Sequence, residues 1–209
     1  MINHEHWLEA QEEEKQWWGD CANTFWEEHK QLVYAALMGL EFFEDGHSPF
    51  NIDLAGLDVL DVGGGPVSLL LKAKNLGAMC RVVDPCVYPD WVYQRYHEHG
   101  LAVWREAAEN LTSMIQFDEV WMYNCLQHTV DPAAIVSGAL EAVRPGGVFR
   151  IFEWIDTPTN VAHPHSLSKE FLDSVIGQSG ETTTLSSDGC FGKSYFGAFT
   201  KSRGDNKGR

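Results

Sequence analysis

The run Val59-Leu60-Asp61-Val62-Gly63-Gly64-Gly65-Pro66-Val67 ends an apolar segment in three consecutive glycines, two residues after a carboxylate. Glycines there let the backbone turn tightly and approach a ligand closely, and a helix starting beyond them offers unpaired N–H groups. A second acid, Asp84, stands 19 residues beyond Gly65 at the end of the next apolar run and is followed by Pro85. A carboxylate in that place can accept two hydrogen bonds from a ribose diol. Without a ligand the glycines make only a tight turn, and Asp84 only a helix cap or turn residue. His128, in Leu126-Gln127-His128-Thr129-Val130-Asp131-Pro132, follows another apolar run. Its imidazole could take a proton from a hydroxyl or amine near neutral pH, or it could cap the loop before Asp131. His163-Pro164-His165 raises the question of a metal, but the spacing supplies no third ligand, so no metal is expected. Glu153 reads as a satisfied structural acid.

Two nucleotide-like ligands compete for the glycine turn. The dinucleotide fingerprint needs a glycine where Ser68 stands, and no Arg or Lys in the turn neutralises a diphosphate. Asp61 repels a diphosphate but suits an ammonium or sulfonium group. The residues therefore favour S-adenosylmethionine (SAM) over NAD.

These residues need a frame that holds strand ends side by side. From Asp53 onward, strand-length apolar runs alternate with helical patterns, the sequence form of βαβ units around a mostly parallel sheet. Strands are expected at Leu57–Val62, Met79–Val83, Leu101–Arg105, Glu119–Tyr123 and Val148–Ile155. Helices are expected at Pro66–Leu76, with proline in the first turn, at Asp90–His99, at Asp131–Val143 and at Ser168–Ile176. Thr182–Leu185 and Tyr195–Thr200, joined without a crossover helix, read as a terminal hairpin with one strand antiparallel to the rest. Before Asp53, a helix at about 5–16 is acidic and weakly amphipathic. A second runs from a capping box at Thr24-x-x-Glu27 to about Gly39, with Phe25, Leu32, Val33, Ala36 and Leu37 near one face. Trp17, Trp18 and Trp26 sit in this region, either packed against the body or covering a cleft where aromatic faces shield a cation.

The chain has 209 residues, 44% of them hydrophobic, enough to bury one large core. Its 15 basic and 30 acidic residues give a formal charge of −15, which repels phosphate backbones and argues against nucleic acid or an anionic membrane as partner. Five cysteines without a C-x-x-C pair suit reduced thiols. The apolar runs are too short to span a bilayer and the first residues lack a signal-peptide pattern, so a soluble cytoplasmic protein is expected. Residues 1–50 hold 11 acids against Lys15 and Lys30 and are too few for a core of their own, so they are expected to form a helical cap or lid. Residues 51–200 form the α/β domain, and 201–209 a flexible basic tail.

The motif VLDVGGGPV resembles the first motif of class I SAM-dependent methyltransferases. VVDPC is similar to the family's second-strand acid, AAENL to the loop after the third strand, and FDEVWMYNCLQHTVDP with EAVRPGG to later motifs, in the family's order. The resemblance implies a doubly wound, mostly parallel seven-stranded sheet of the Rossmann-like α/β kind, and transfer of a methyl group from SAM to a small-molecule or sugar-like acceptor. It also implies that Asp61, Gly63, Gly64 and Gly65 hold the amino-acid end of the cofactor and Asp84, with Pro85, its ribose. Glu109 would lie near adenine and Asn124 beside the methionine moiety, and the histidine loop at 163–165 would lie near the acceptor. His128 is the candidate base. The sequence departs from the family pattern at Gly64, Val67 and Ala107. A non-catalytic SAM or nucleotide-binding module is the alternative, and an NAD-dependent oxidoreductase a more distant one. The oligomeric state is not legible.

Overall fold

A computed structural model describes residues 2–40, 52–73, 77–111 and 115–203. Two N-terminal helices, α1 (His4–Trp18) and α2 (Cys21–Leu37), precede the α/β body. Five apolar runs then form β1 (Asp58–Val62), β2 (Met79–Val83), β3 (Ala102–Trp104), β4 (Phe117–Tyr123) and β5 (Val143–Ile155). Between them lie the short α3 (Leu70–Ala73), α4 (Asp90–Glu98) and α5 (Pro132–Ala142), and α6 (Lys169–Ile176) leads into the hairpin β6 (Glu181–Ser187) and β7 (Cys190–Thr200).

The seven strands lie in the order β3-β2-β1-β4-β5-β7-β6. The first five are parallel, and β7 runs antiparallel to both β5 and β6, as the short hairpin connection requires. The chain winds outward from β1 through β2 to β3 and then returns to β4 on the other side. That reversal leaves the carboxyl ends of β1 and β4 adjacent, with a crevice between their loops. Side chains alternate across the sheet. Val59, Trp121, Tyr123 and Phe152 pack on the face that also receives α2 and α4, whereas Leu60, Val62, Val120, Met122 and Ile151 pack against α5 and α6. Both faces are covered, which is why these strands read as near-continuous apolar runs.

Three local expectations need correction. The helix expected from Pro66 starts only at Leu70. Ser68 Oγ accepts the Leu70 N–H and the Leu69 N–H donates to the Tyr123 hydroxyl, so residues 66–69 stay in a turn fixed by side chains. Residues 74–76 of that expected helix lie outside the described residues. The cap of α2 is Asp20, whose carboxylate accepts the Ala22 N–H at 2.8 Å. Thr24 lies inside the helix and donates its hydroxyl to the Cys21 carbonyl. Finally, β5 does not wait for Val148 but runs through Pro145-Gly146-Gly147 with a register irregularity opposite Phe117–Glu119. Gly146 adopts φ +87°, and a Cβ on Gly147 would sit 2.6 Å from the Asp118 carbonyl oxygen, so this segment needs both glycines.

The face that α2 buries differs in part from the expected one, since Val33 and Leu37 pack against the core but Phe25 and Ala36 do not. Phe25 and Trp26 are 66% and 62% exposed, stacked edge-to-face on each other, while Thr24, Glu27, Gln31, Tyr34 and Ala35 are buried. The helix docks through Tyr34, which stacks on Phe152 at 4.1 Å, and through the Met38 carbonyl, which accepts from Arg150 Nη1 at 2.7 Å. Residues 41–50 of the expected cap and 204–209 of the expected tail lie outside the described residues. No helix among the described residues is long and apolar enough to cross a membrane.

Candidate active site

The crevice at the carboxyl ends of β1 and β4 opens into a cavity of about 440 Å³. Its floor is the glycine turn. Gly63 and Gly65 have φ of +71° and +63°, a conformation costly to residues with a Cβ. A Cβ on Gly63 would lie 2.6 Å from that of Cys125, so this glycine allows β1 and the post-β4 loop to close on each other. A Cβ on Gly65 would meet nothing within 4 Å. It would project into free space beside a residue that lines the cavity, which is the cradle a bound ligand needs.

Asp84 directly follows β2 and also lines the cavity. One carboxylate oxygen accepts the Gly65 N–H at 2.9 Å and the Tyr88 hydroxyl at 3.2 Å; the other accepts the Cys86 N–H at 2.9 Å. Burial pushes its pKa up to about 6 despite these donors. Pro85 lines the wall beside it. The Tyr96 hydroxyl donates to the Gly65 carbonyl at 2.7 Å, so α4 braces the turn from behind.

Asp61 occupies a different place. It is fully buried, is not among the cavity-lining residues, and accepts hydrogen bonds from the hydroxyls of Ser68 and Tyr123. Burial raises its pKa to about 7, and its Oδ1 has no hydrogen-bond partner. A Cβ on Gly64 would approach this carboxylate to 3.0 Å. Asp61 therefore fastens the turn from beneath, through Ser68, while Gly63, Gly64 and Gly65 form its upper surface.

Beyond β4, Asn124 takes a left-handed conformation with φ +52° and lines the cavity. Its amide nitrogen lies 3.4 Å from the Glu27 carboxylate and its oxygen accepts from Gln127 at 3.2 Å. Glu153 is fully buried and accepts the N–H groups of Cys125 and Leu126, both at 3.1 Å, so it holds this loop in shape from below. Its pKa rises to about 7 through burial. Glu109, in the 3-10 turn Ala108–Asn110, also lines the cavity.

His128 also faces the cavity. Its Nδ1 lies 2.8 Å from the Ala162 carbonyl oxygen, which can only accept, so Nδ1 carries the proton and Nε2 is the basic nitrogen. Burial lowers its pKa to about 4, which keeps the ring neutral. The same Nδ1 lies 3.2 Å from Glu14 Oε1, and the His163 ring stands 4.6 Å away at a steep angle. His165 points elsewhere, with Nε2 2.8 Å from the Thr129 carbonyl oxygen.

The roof comes from the N-terminal helices: Trp7, Gln11, Glu14, Trp17 and Trp18 of α1, and Glu27, Lys30 and Gln31 of α2. Gln31 donates to the Val67 carbonyl and so ties α2 to the glycine turn, while its Oε1 and that of Gln11 are buried without partners. Sequence reasoning missed Glu14, Glu27 and Gln31. The signal for Glu27 and Gln31 was polar residues recurring at helical spacing on the buried face of α2, a pattern that reads as solvated until the docking partner is known, and Glu14 stood within the acidic run of α1.

Residues 60–151 match the family described as a methyltransferase domain. The ubiquinone biosynthesis O-methyltransferase of Paraburkholderia phytofirmans is 32% identical over 146 residues, covering 66% of this chain and 61% of that protein. The enzyme of the same name from Pseudomonas fluorescens is 34% identical over 102 residues, covering 46% and 44%. The chain thus spans about half the length of the curated relatives it matches. Among solved structures, the 1,6-didemethyltoxoflavin-N1-methyltransferase of Burkholderia thailandensis, with bound 1,6-didemethyltoxoflavin and S-adenosylhomocysteine, superposes with a TM-score of 0.69 at 14% identity. That match covers 97% of this chain and 91% of that one. The chain has the fold of the class I SAM-dependent methyltransferases, with their seven-stranded sheet, antiparallel final strands and N-terminal helices, and its residues 60–151 are similar to a methyltransferase domain. The cofactor of that class is SAM.

Proposed function

We propose that this protein transfers a methyl group from SAM to a small-molecule acceptor bound under the N-terminal helices. One observation carries the reading: Gly65 and Asp84, joined by a 2.9 Å hydrogen bond, line the same cavity as His128, so a nucleoside clamp and a neutral imidazole share one space. The cofactor supplies a methyl group on a positively charged sulfur. The Gly63–Gly65 backbone lets its amino-acid end approach, Asp84 with Pro85 receives the ribose hydroxyls, and Asn124 flanks the methionine portion. Glu109 is placed to meet the adenine edge. Asp61 acts through Ser68 and Tyr123, setting the turn and placing a buried carboxyl beneath it.

Alignment of nucleophile and methyl carbon supplies a large part of the acceleration in such a displacement. The roof of Trp7, Trp17 and Trp18 excludes water and holds that alignment. His128, with Nδ1 held by Ala162, presents Nε2 to take the proton released by an acceptor hydroxyl or amine. The matched relatives act in ubiquinone biosynthesis as O-methyltransferases, and the toxoflavin enzyme methylates a ring nitrogen; both support a compact organic acceptor.

The test is incubation of the protein and SAM with a metabolite extract, read by mass spectrometry. A product heavier than its precursor by one methyl group is expected. Binding of S-adenosylhomocysteine without any methylated product would instead favour a non-catalytic binding module.

A further inference from the structure

Glu14, His128 and His163 come from three distant parts of the chain: α1, the turn after β4, and the loop between β5 and α6. Each offers one ligand atom, and these atoms all lie within 4.8 Å of one another. Glu14 Oε1 and His128 Nδ1 are 3.2 Å apart. A tetrahedral zinc site with bonds near 2.1 Å has edges of roughly 3.4 Å. We propose that these three side chains form a binding site for a divalent transition-metal ion, zinc(II) being the best match to two imidazoles and one carboxylate.

The donor set decides the class of ion. Two nitrogens and one oxygen suit zinc and its first-row neighbours, whereas magnesium and calcium prefer oxygen-only shells. Three protein ligands with further positions open are the arrangement of reactive rather than structural zinc sites. All three residues line the cavity, so the open positions face it. That an acceptor oxygen or nitrogen completes the shell rests on the function proposed above; the metal site itself does not.

The surroundings hold the ligands in place. Glu14 Oε2 accepts the Trp18 indole N–H at 2.7 Å, leaving Oε1 toward the imidazoles. The Ala162 carbonyl accepts from His128 Nδ1, an outer bond of the kind that orients a metal-bound imidazole. The backbone N–H of His163 donates to Asn160 Oδ1 at 2.8 Å, which fixes the loop that carries it. An ion bound through His128 Nε2 keeps the Ala162 bond, and one bound through Nδ1 replaces it. Either way His128 cannot hold the metal and a proton on the same nitrogen at once. The spacing of His163 and His165 alone gave no third ligand, because Glu14 lies more than a hundred residues away and His165 is turned toward Thr129.

The experiment titrates zinc(II), and separately cobalt(II), into the full 209-residue chain carrying no added histidines. Calorimetry follows the first and visible absorption the second. Saturable one-to-one binding is expected, with cobalt bands free of thiolate charge transfer. His163→Ala and Glu14→Gln, checked for native circular dichroism, should each weaken binding by about 10- to 100-fold or more, since loss of an outer partner alone has an effect of that size. Because Glu14 lies on α1 and the histidines on the body, zinc should also slow amide exchange in α1. Absence of saturable binding, binding in both variants as tight as in the unchanged protein, or a thiolate-type cobalt spectrum would each overturn the proposal. Failure of the methyltransferase reading would show separately, as zinc binding without binding of S-adenosylhomocysteine.

Discussion

Asp84 and Asp61 are both buried carboxylates beside one glycine turn, yet only Asp84 lines the cavity. Replacing Asp84 with alanine removes a charged acceptor and should weaken S-adenosylhomocysteine by roughly 1.5–3 kcal/mol, about 10- to 150-fold in Kd by calorimetry. An unchanged Kd in a folded variant would take Asp84 out of the site. Asp61 makes a different prediction, about pH. Burial raises its folded pKa to about 7, above the ordinary carboxylate value. The folded state therefore holds its proton where the unfolded chain has lost it, and the associated stability, present below about pH 4, is lost as pH rises through about 7. In urea unfolding, Asp61→Asn should gain on the wild type by a few kcal/mol, to order of magnitude, between those pH values. A pH-independent difference would show that Asp61 is ionised throughout. At this scale the motif residues were legible because glycine, acid and spacing carry their own chemistry. Glu14 and Gln31 were not, since each acts only after a helix has docked.

The two N-terminal helices differ in how they are held. Helix α2 is anchored by Tyr34 against Phe152, by Arg150 on the Met38 carbonyl, by Gln31 on Val67, and by a 2.8 Å pair between Lys72 and Glu28. Arg150 is itself held by Glu119 at 2.7 Å in a buried pair. Helix α1 fully buries only Ala10, and Trp17 is 59% exposed at the cavity rim. The lid expected of the whole N-terminal segment is thus proposed for α1 alone. Hydrogen exchange should show α2 protected without ligand, and α1 protected only when S-adenosylhomocysteine is added. Equal protection of α1 in both conditions would make it a fixed roof. The sequence placed both helices, but Phe25 drew the expected buried face of α2 partly toward the wrong side. Its size suggests burial, whereas the buried stripe is polar at Glu27 and Gln31, where it meets the cavity, and apolar only from Tyr34 on, where it meets the core. The strands fared better, since runs covered on both faces announce themselves; the turn at 66–69 did not, because bonds from Ser68 and Tyr123 override a helical pattern.

For the molecule as a whole, the mostly parallel sheet with an antiparallel strand was implied by alternating runs and a closing hairpin, its doubly wound form by the family resemblance, and the site by its place at the carboxyl edge of the strands. The acidic surplus, a formal −15, accompanies a cavity lined by Glu13, Glu14, Glu27, Asp84 and Glu109, with Lys30 paired to Glu27 at 2.6 Å. Such a field attracts a positively charged sulfonium and repels a dinucleotide's diphosphate. What composition could not supply is the acceptor, because the roof that selects it is assembled from two helices whose own sequences read as solvated. The central claim is that the glycine turn and Asp84 form a clamp for SAM rather than for a dinucleotide. Its most direct test is calorimetry of the full chain with SAM, S-adenosylhomocysteine and NAD in parallel. Saturable one-to-one binding of SAM and S-adenosylhomocysteine, with no heat of binding from NAD, is the predicted result; binding of NAD without binding of either of the other two would contradict it.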